Sequence, residues 1–418
     1  MSLPEDHSPL ASSEDGALFA DLASRRRRCL ELLALLQPKA GGLLLFSRAN
    51  IYYLTGVMCS GVFWLPAGGK PLLMVRKGLL RARLDSAPDE ALAVYNSYSE
   101  LVSLCLDHGA PLSAIVAAEQ NSLPWALAES LQKRLSGIAF VPGDMILSRA
   151  RAVKSPYELS LMRQGGERQA RCIDLLLPQR ITPGMSEREI ARALYDLYFD
   201  HGNCCISRMN NFGEEMLMGE VSAGDNGNYP GFYNGPLGCK GQHRSAHFLG
   251  APDSIWMQNS LAMVDTVFCH QGYNTDTSRC YFAGSRRDIP AQARKAHDLC
   301  LAIEEAAASR LRPGIAPSEL YAMALDMADK AGFGEGFMGL GGNKVPFLGH
   351  GVGLHVDEWP VLARRFDLPL EEGMTLALEP KIGLPGIAMV GTENSWEVTG
   401  GQARCLTGGP CDIICVEE

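Results

Sequence analysis

The chain has 418 residues, more than one hydrophobic core usually holds, so two domains are expected, each able to bury a core of its own. Its formal net charge of −9 disfavours a broad nucleic-acid or anionic-membrane surface, because both would repel an acidic protein at long range. No run approaches the roughly 18 uninterrupted apolar residues of a membrane span, so neither a nucleic acid nor a membrane is expected as a partner.

Residues 1–16 are polar and aperiodic, which predicts a poorly ordered tail without chemistry. No apolar segment with a small-residue cleavage site follows Met1, so no secretory signal is expected. The basic run Arg25 to Arg28 lies in a helical-looking stretch and reads as a solvated helix face. From 17 to 153 short apolar runs (GLLLF, GVFWLPA, KPLLMV, SAIVAAE) alternate with helical stretches, and Gly68-Gly69 sits between two runs as a hairpin turn would. This predicts a first α/β domain ending near Val153. Thirteen cysteines, without CxxC spacing, suit small buried hydrophobes in a reducing, cytoplasmic compartment better than a disulfide framework; the closest pairs are Cys204/Cys205 and Cys411/Cys415.

The second domain, 154–418, opens on a helix start with Ser155 as N-cap, Pro156 at the first helical position and Glu158 completing a capping box. RITPGMSEREI (Arg180 to Ile190) recurs as RLRPGIAPSEL (Arg310 to Leu320) at an offset of 130, each copy placing Pro-Gly before an amphipathic helix. Two similar helix starts can arise by chance. A duplicated half-domain explains more, because each copy is followed by a loop-rich stretch and then a strand pair carrying two acidic residues. Two such halves facing each other would converge four carboxylates.

Those carboxylates are Asp265 and Asp276 in LAMVDTVFCHQGYNTDTSRCYFAG, and Glu379 and Glu393 in TLALEPKIGLPGIAMVGTENSWEVT. A hairpin centred near His270 and Gln271 makes the two aspartates cross-strand neighbours on one face. Adjacent buried carboxylates repel unless a cation or proton lies between them. His350, flanked by Gly349 and Gly351, adds an imidazole where the backbone can approach closely. Singly, an Asp in a strand more often caps a turn and a lone His is more often a satisfied core residue. Together, four carboxylates and one imidazole suit two divalent ions, with Mn, Co, Zn or Fe all compatible.

These motifs, with NIYYLTG (Asn50 to Gly56), VKSPYELSLMR, GHGVGL, LALEP and GTEN, make the chain resemble the pita-bread metallohydrolases, which include methionine aminopeptidase, aminopeptidase P, prolidase and creatinase. The resemblance implies an α+β pita-bread catalytic domain with an internal pseudo-twofold repeat, preceded by a creatinase-like α/β domain. It assigns metal-ligand roles to Asp265, Asp276, His350, Glu379 and Glu393, favours manganese, and implies a bridging water or hydroxide as nucleophile with Glu379 as proton shuttle. A homodimer is implied as well.

The chain departs from that pattern outside the ligands. A second family histidine, seven residues after the ligand histidine, is replaced by Asp357, and His355 would face the same way if the stretch were a strand. A histidine four residues before the ligand and an arginine two before the last glutamate are replaced by Pro346 and Gly391. His247 falls about where a further histidine is expected ahead of Asp265, and His270 at the hairpin turn reads as a surface or supporting residue. The loop Asn226 to Gly241 reads as a cleft wall or a plain surface loop.

Glu379, His355, His247 and Asp357 are therefore the candidate catalytic residues. The leading expectation is removal of the N-terminal residue from short peptides, Xaa-Pro substrates in particular. A small-molecule amide or amidine substrate on the same fold is the alternative that the altered positions favour. A silent binding scaffold is the third, and converging carboxylates argue against it.

Overall fold

The computed structural model describes residues 13–409 and 411–417, which fall into two compact units divided between Arg151 and Ala152. Most of the expected N-terminal tail lies outside the described residues, but helix α1 (Ser13–Leu36) already begins within it.

In the first unit the four apolar runs read from sequence become β1 (Gly42–Leu45), β2 (Gly61–Pro66), β3 (Leu72–Val75) and, after β4 (Leu92–Val94), β5 (Ile115–Ala118). With β6 (Ala139–Pro142) they form a six-stranded sheet in the order β4-β3-β2-β1-β5-β6. β2 and β3 pair antiparallel across the Gly68-Gly69 turn, where Gly69 takes φ 104°. Helices α2 (Arg48–Thr55), α3 (Leu79–Asp85), α4 (Leu101–Asp107), α5 (Trp125–Arg134) and α6 (Asp144–Ala152) complete the unit. The NIYYLTG motif is architectural. Asn50 donates to Glu119 (2.8 Å), whose other oxygen takes the Phe46 and Ser47 amides, and Gly56 ends α2 in the left-handed region.

The basic run corrects the solvated-face reading. Arg25 is buried and donates to Tyr53 O (3.1 Å), and Arg26 donates to Leu54 O (2.8 Å) and Glu90 (2.6 Å). Two guanidinium groups thus satisfy carbonyls at the C-terminal end of α2, where a helix leaves acceptors unpaired and favours positive charge. Arg27 alone of these three keeps the exposed character expected of the run.

In the second unit α7 (Pro156–Ala170) has the Ser155–Glu158 capping box expected from sequence, and α8 (Glu187–Asp200) has its counterpart in Ser186 and Glu189. Helix α9 (Ala291–Ala308) precedes α10 (Pro317–Lys330), which starts 130 residues after α8; Ala316 has no capping oxygen, so only the Glu319 half of that box exists (3.3 Å). A short pair, β7 (Ser207–Arg208) and β8 (Glu215–Met216), comes first. β9 (Gly219–Ala223), β10 (Leu261–His270) and β11 (Tyr273–Ala283) then form an antiparallel meander, repeated in the other half by β12 (Phe347–Gly351), β14 (Thr375–Leu378) and β17 (Asn394–Glu397). β13 (Glu358–Ala363) and β18 (Arg404–Cys405) flank the second meander, β19 (Ile414–Val416) the first, and β15 (Lys381–Leu384) and β16 (Ala388–Gly391) form a hairpin between β14 and β17. Ser278 of β11 bridges Glu393 just ahead of β17, and there the two halves meet.

The thiols are more varied than expected. Seven of the thirteen are buried, but Cys204 is exposed and Cys59, Cys205, Cys405, Cys411 and Cys415 are only half-buried. No described helix is long and apolar enough to cross a membrane.

Candidate metal centre

The hairpin turn lies at Gln271-Gly272, both with positive φ, one residue beyond the position expected. Moving the turn by one residue moves the register by two: Asp265 faces Ser278 and Asp276 faces Val267. The aspartates are diagonal rather than directly opposed, and they still share a face because the side-chain period is two. In the other half, Leu378 pairs with Asn394, so Glu379 and Glu393 leave the β14–β17 ladder side by side. His350 reaches them from β12, where it pairs with Ala377. Its glycine neighbours are needed: a Cβ at Gly349 would stand 1.9 Å from Ala377 O, and one at Gly351 2.4 Å from Trp359 O.

One ligand atom each from Asp276, His350 and Glu393 lie within 4.8 Å of one another, so the three side chains converge on one point where a metal ion could be held. The His350 Nδ1 lies 3.1 Å from Gly351 O, so in the neutral ring a proton there donates to that carbonyl and leaves Nε2, 3.5 Å from Glu379 Oε1, as the nitrogen open to a metal. Glu393 Oε2 accepts from Ser278 Oγ (2.6 Å), while its buried Oε1 has no hydrogen-bond partner. A buried carboxylate oxygen without a donor, beside two further donor atoms, fits a divalent cation.

Asp265 and Glu379 stand differently. Both face the ammonium of Lys381, which lies 3.1 Å from Asp265 Oδ2, 3.0 Å from Glu379 Oε2 and 2.8 Å from Glu393 Oε2. Lys381 is fully buried. Burial opposes its charge, but Asp265, Glu379 and Glu393 outweigh burial and hold its pKa well above the usual lysine value. Burial raises Asp265 to about 6 against the pull of Lys381, although a fifth of its side chain reaches solvent. Burial, then Glu393 and Asp265, push Asp276 well above the carboxylate range. Burial lowers His350, but Glu379 and Glu393 more than reverse this, so its pKa is raised. A cation is thus favoured electrostatically where these groups meet.

Residues 160–400 match the sequence profile of metallopeptidase family M24, and residues 25–153 that of the creatinase/prolidase N-terminal domain. The chain belongs to metallopeptidase family M24. It is accordingly a metal-dependent hydrolase with a creatinase-type N-terminal domain and a pita-bread catalytic domain. Among M24 relatives it is 26% identical to an Xaa-Pro dipeptidase of Pyrococcus horikoshii over 71% of this chain and 74% of that one. It is 26% identical to the probable dipeptidase PepE of Mycobacterium bovis over 94% and 96%. In fold it is similar to the crystal structures of the X-Pro aminopeptidase of Thermotoga maritima (TM-score 0.75, 21% identity, 94% of this chain and 99% of that one) and of the dipeptidase PepE of Mycobacterium ulcerans (0.77, 22%, 96% and 99%).

Around the Asp276, His350 and Glu393 cluster the remaining candidates separate. Residues 353–357 form bends rather than a strand, which removes the premise for His355 facing the ligand histidine; His355 instead donates its amide to Glu358 (2.9 Å). Asp357 lies close enough for its charge to raise His350, and its Oδ1 accepts from the Asn210 amide (2.6 Å). His247 is half-buried and packs on the exposed ring of Phe232, centroids 4.7 Å apart. His270 is buried rather than on the surface, with Nδ1 3.2 Å from Arg168. The loop from Asn226 is tied to the β15–β16 hairpin, where Asn228 donates to Leu384 O (3.0 Å), and to the turn ahead of β12, from which Asn343 donates to Tyr229 O (3.1 Å).

Sequence reasoning missed four buried ionisable side chains around these carboxylates. Lys381 is one; its signal was a lysine two residues after Glu379 in an otherwise apolar strand. Glu220 of β9 pairs with Asp265 across the ladder, and burial, then the Asp265 charge, push its carboxyl well above the usual value. Arg279 is buried and bonds Asp174 (2.7 Å) and the Glu393 carbonyl (2.9 Å). Glu304, raised by burial to about 7, accepts from Asn394 (2.8 Å) and Trp396 (2.9 Å) in β17.

Proposed function

We propose that this protein is a dipeptidase-type metallopeptidase that removes the N-terminal residue from short peptides, Xaa-Pro dipeptides foremost, at the centre formed by Asp276, His350 and Glu393 with Glu379 and Asp265 beside it. The observation that carries the reading is the convergence of three ligand atoms from both halves of the repeat on one buried point. The names of the relatives, Xaa-Pro dipeptidase among them, support the substrate class.

A divalent ion held there would polarise the scissile carbonyl and acidify the attacking water. The chain's own residues arrange the rest. His350 is kept as a ligand by the Gly351 carbonyl on its other nitrogen, and Ser278 fixes Glu393. Glu379 faces His350 through one oxygen and Lys381 through the other, so its Oε1 side is placed to take the water's proton and return it to the leaving amine. Asp357 lies on the His350 side and offers a carboxylate to a substrate's free ammonium. We further propose manganese as the working ion, a cytoplasmic location in keeping with the free thiols, and a homodimeric assembly.

Paired dipeptides, Xaa-Pro and Xaa-Ala, assayed with Mn(II), test the substrate class. Cleavage of the proline member at least about tenfold faster in kcat/KM, equivalent to about 1.4 kcal/mol in the transition state, is the expected result. Equal rates would remove the proline requirement. No cleavage of either by metal-loaded protein would move the assignment to a small amide or amidine, in keeping with Pro346 and Gly391.

A further inference from the structure

We propose that Lys381 is the second cation of this centre: its ammonium fills the Asp265 half of the carboxylate cluster, so the site takes one divalent ion, at Asp276, His350 and Glu393, and not two. The inference rests on the assignment of that cluster as the metal centre.

Three features of the geometry support it. An ammonium has three N–H donors, and the Lys381 nitrogen has three carboxylate oxygens within reach, from Asp265 (3.1 Å), Glu379 (3.0 Å) and Glu393 (2.8 Å). Its hydrogen-bonding capacity is fully used inside the cluster, and the side chain is fully buried, so it has no solvent to turn towards. A second divalent ion would bond the same oxygens at about 2.0–2.6 Å, which would place it against the ammonium it must repel. The remaining oxygen of Glu393, buried and without a donor, belongs to the one group of three ligand atoms found among the described residues.

The hairpin is built to admit this side chain. Lys381 pairs with Gly391 across β15–β16, and a Cβ at Gly391 would stand 2.7 Å from Lys381 Cα and 2.9 Å from its Cγ. Position 391 is where the family resemblance leads one to expect an arginine. The chain has no side chain there and supplies a positive charge from the facing strand.

The test counts ions on the full-length protein. Metal-stripped wild type, Lys381→Met and Asp276→Asn are dialysed to equilibrium against Mn(II), and bound metal per chain is measured by elemental analysis. The expected counts are one, two and none. Electron paramagnetic resonance of the loaded wild type is expected to show isolated Mn(II), and Lys381→Met a spin-coupled pair. Two ions on the wild type overturn the proposal, as does a folded Lys381→Met that still takes one. Should Lys381→Met not fold, the wild-type count and spectrum decide alone. No ion on the wild type, or one retained by Asp276→Asn, overturns the assignment of the cluster itself and with it the proposal.

Discussion

Asp276→Asn is expected to lower peptide hydrolysis by about 1,000-fold or more, roughly 4 kcal/mol of transition-state stabilisation, and to abolish metal binding. The substitution keeps the size and one oxygen of the side chain but removes the charge that an ion needs. The backbone is held independently: Ser395 Oγ takes the Asp276 amide (2.8 Å) and donates to its carbonyl (3.0 Å). Folding should therefore survive. Because Asp276 is forced by burial, Glu393 and Asp265 towards its neutral form, the metal-free Asn variant is expected to be at least as heat-stable as the metal-free wild type. Metal content, kcat/KM and thermal unfolding measured on one preparation check all three. Wild-type activity in this variant would remove Asp276 from the centre.

Arg279→Leu is expected to cost the fold about 3–5 kcal/mol, the usual penalty for stranding the partners of a buried charge. The guanidinium donates to Asp174 (2.7 Å), Thr277 (2.8 Å), the Ser278 and Glu393 carbonyls (3.0 and 2.9 Å), Asn394 (3.0 Å) and the Thr407 carbonyl (2.9 Å). Leucine satisfies none of these. The Asp174 side chain is 22% exposed, so water softens its share of the loss; the buried carbonyls have no such relief. A fall in Tm of roughly 6–20 °C is expected by calorimetry. Lysine at 279 should rescue little, since one ammonium cannot span acceptors on both sides of a planar fork. A change within about 2 °C would mean that Arg279 does not hold β11 to the Glu393 segment.

Much of this architecture was legible in the residues because it rests on local rules. Ser155, Pro156 and Glu158 specify a helix start without reference to the rest of the chain, and Gly68-Gly69 specifies a turn in the same way. The repeated Pro-Gly helix starts gave away the duplication, and with it the meeting of two acidic strand pairs. The register of the aspartate hairpin was read two residues off because Gln271 adopts positive φ, and nothing in its side chain announces that.

Long-range electrostatics was the harder part. Arg25 and Arg26 look like a solvated run until α2 presents its carbonyls 28 residues away. Lys381 looks like an ordinary strand lysine until Asp265 and Glu393 join its near neighbour Glu379 around its ammonium. His355 was read on the assumption of a strand, which the bends at 353–357 do not provide. For the arginines and for Asp265 around Lys381, the environment comes from segments that no periodicity or spacing links to the side chain.

The most direct measurement of the central claim is hydrolysis of an Xaa-Pro dipeptide by metal-stripped protein as Mn(II) is added back. The account predicts negligible activity without metal and recovery in proportion to the ion bound at the Asp276, His350 and Glu393 centre. Activity that survives complete removal of metal, or a metal-loaded protein that hydrolyses no peptide, would contradict it.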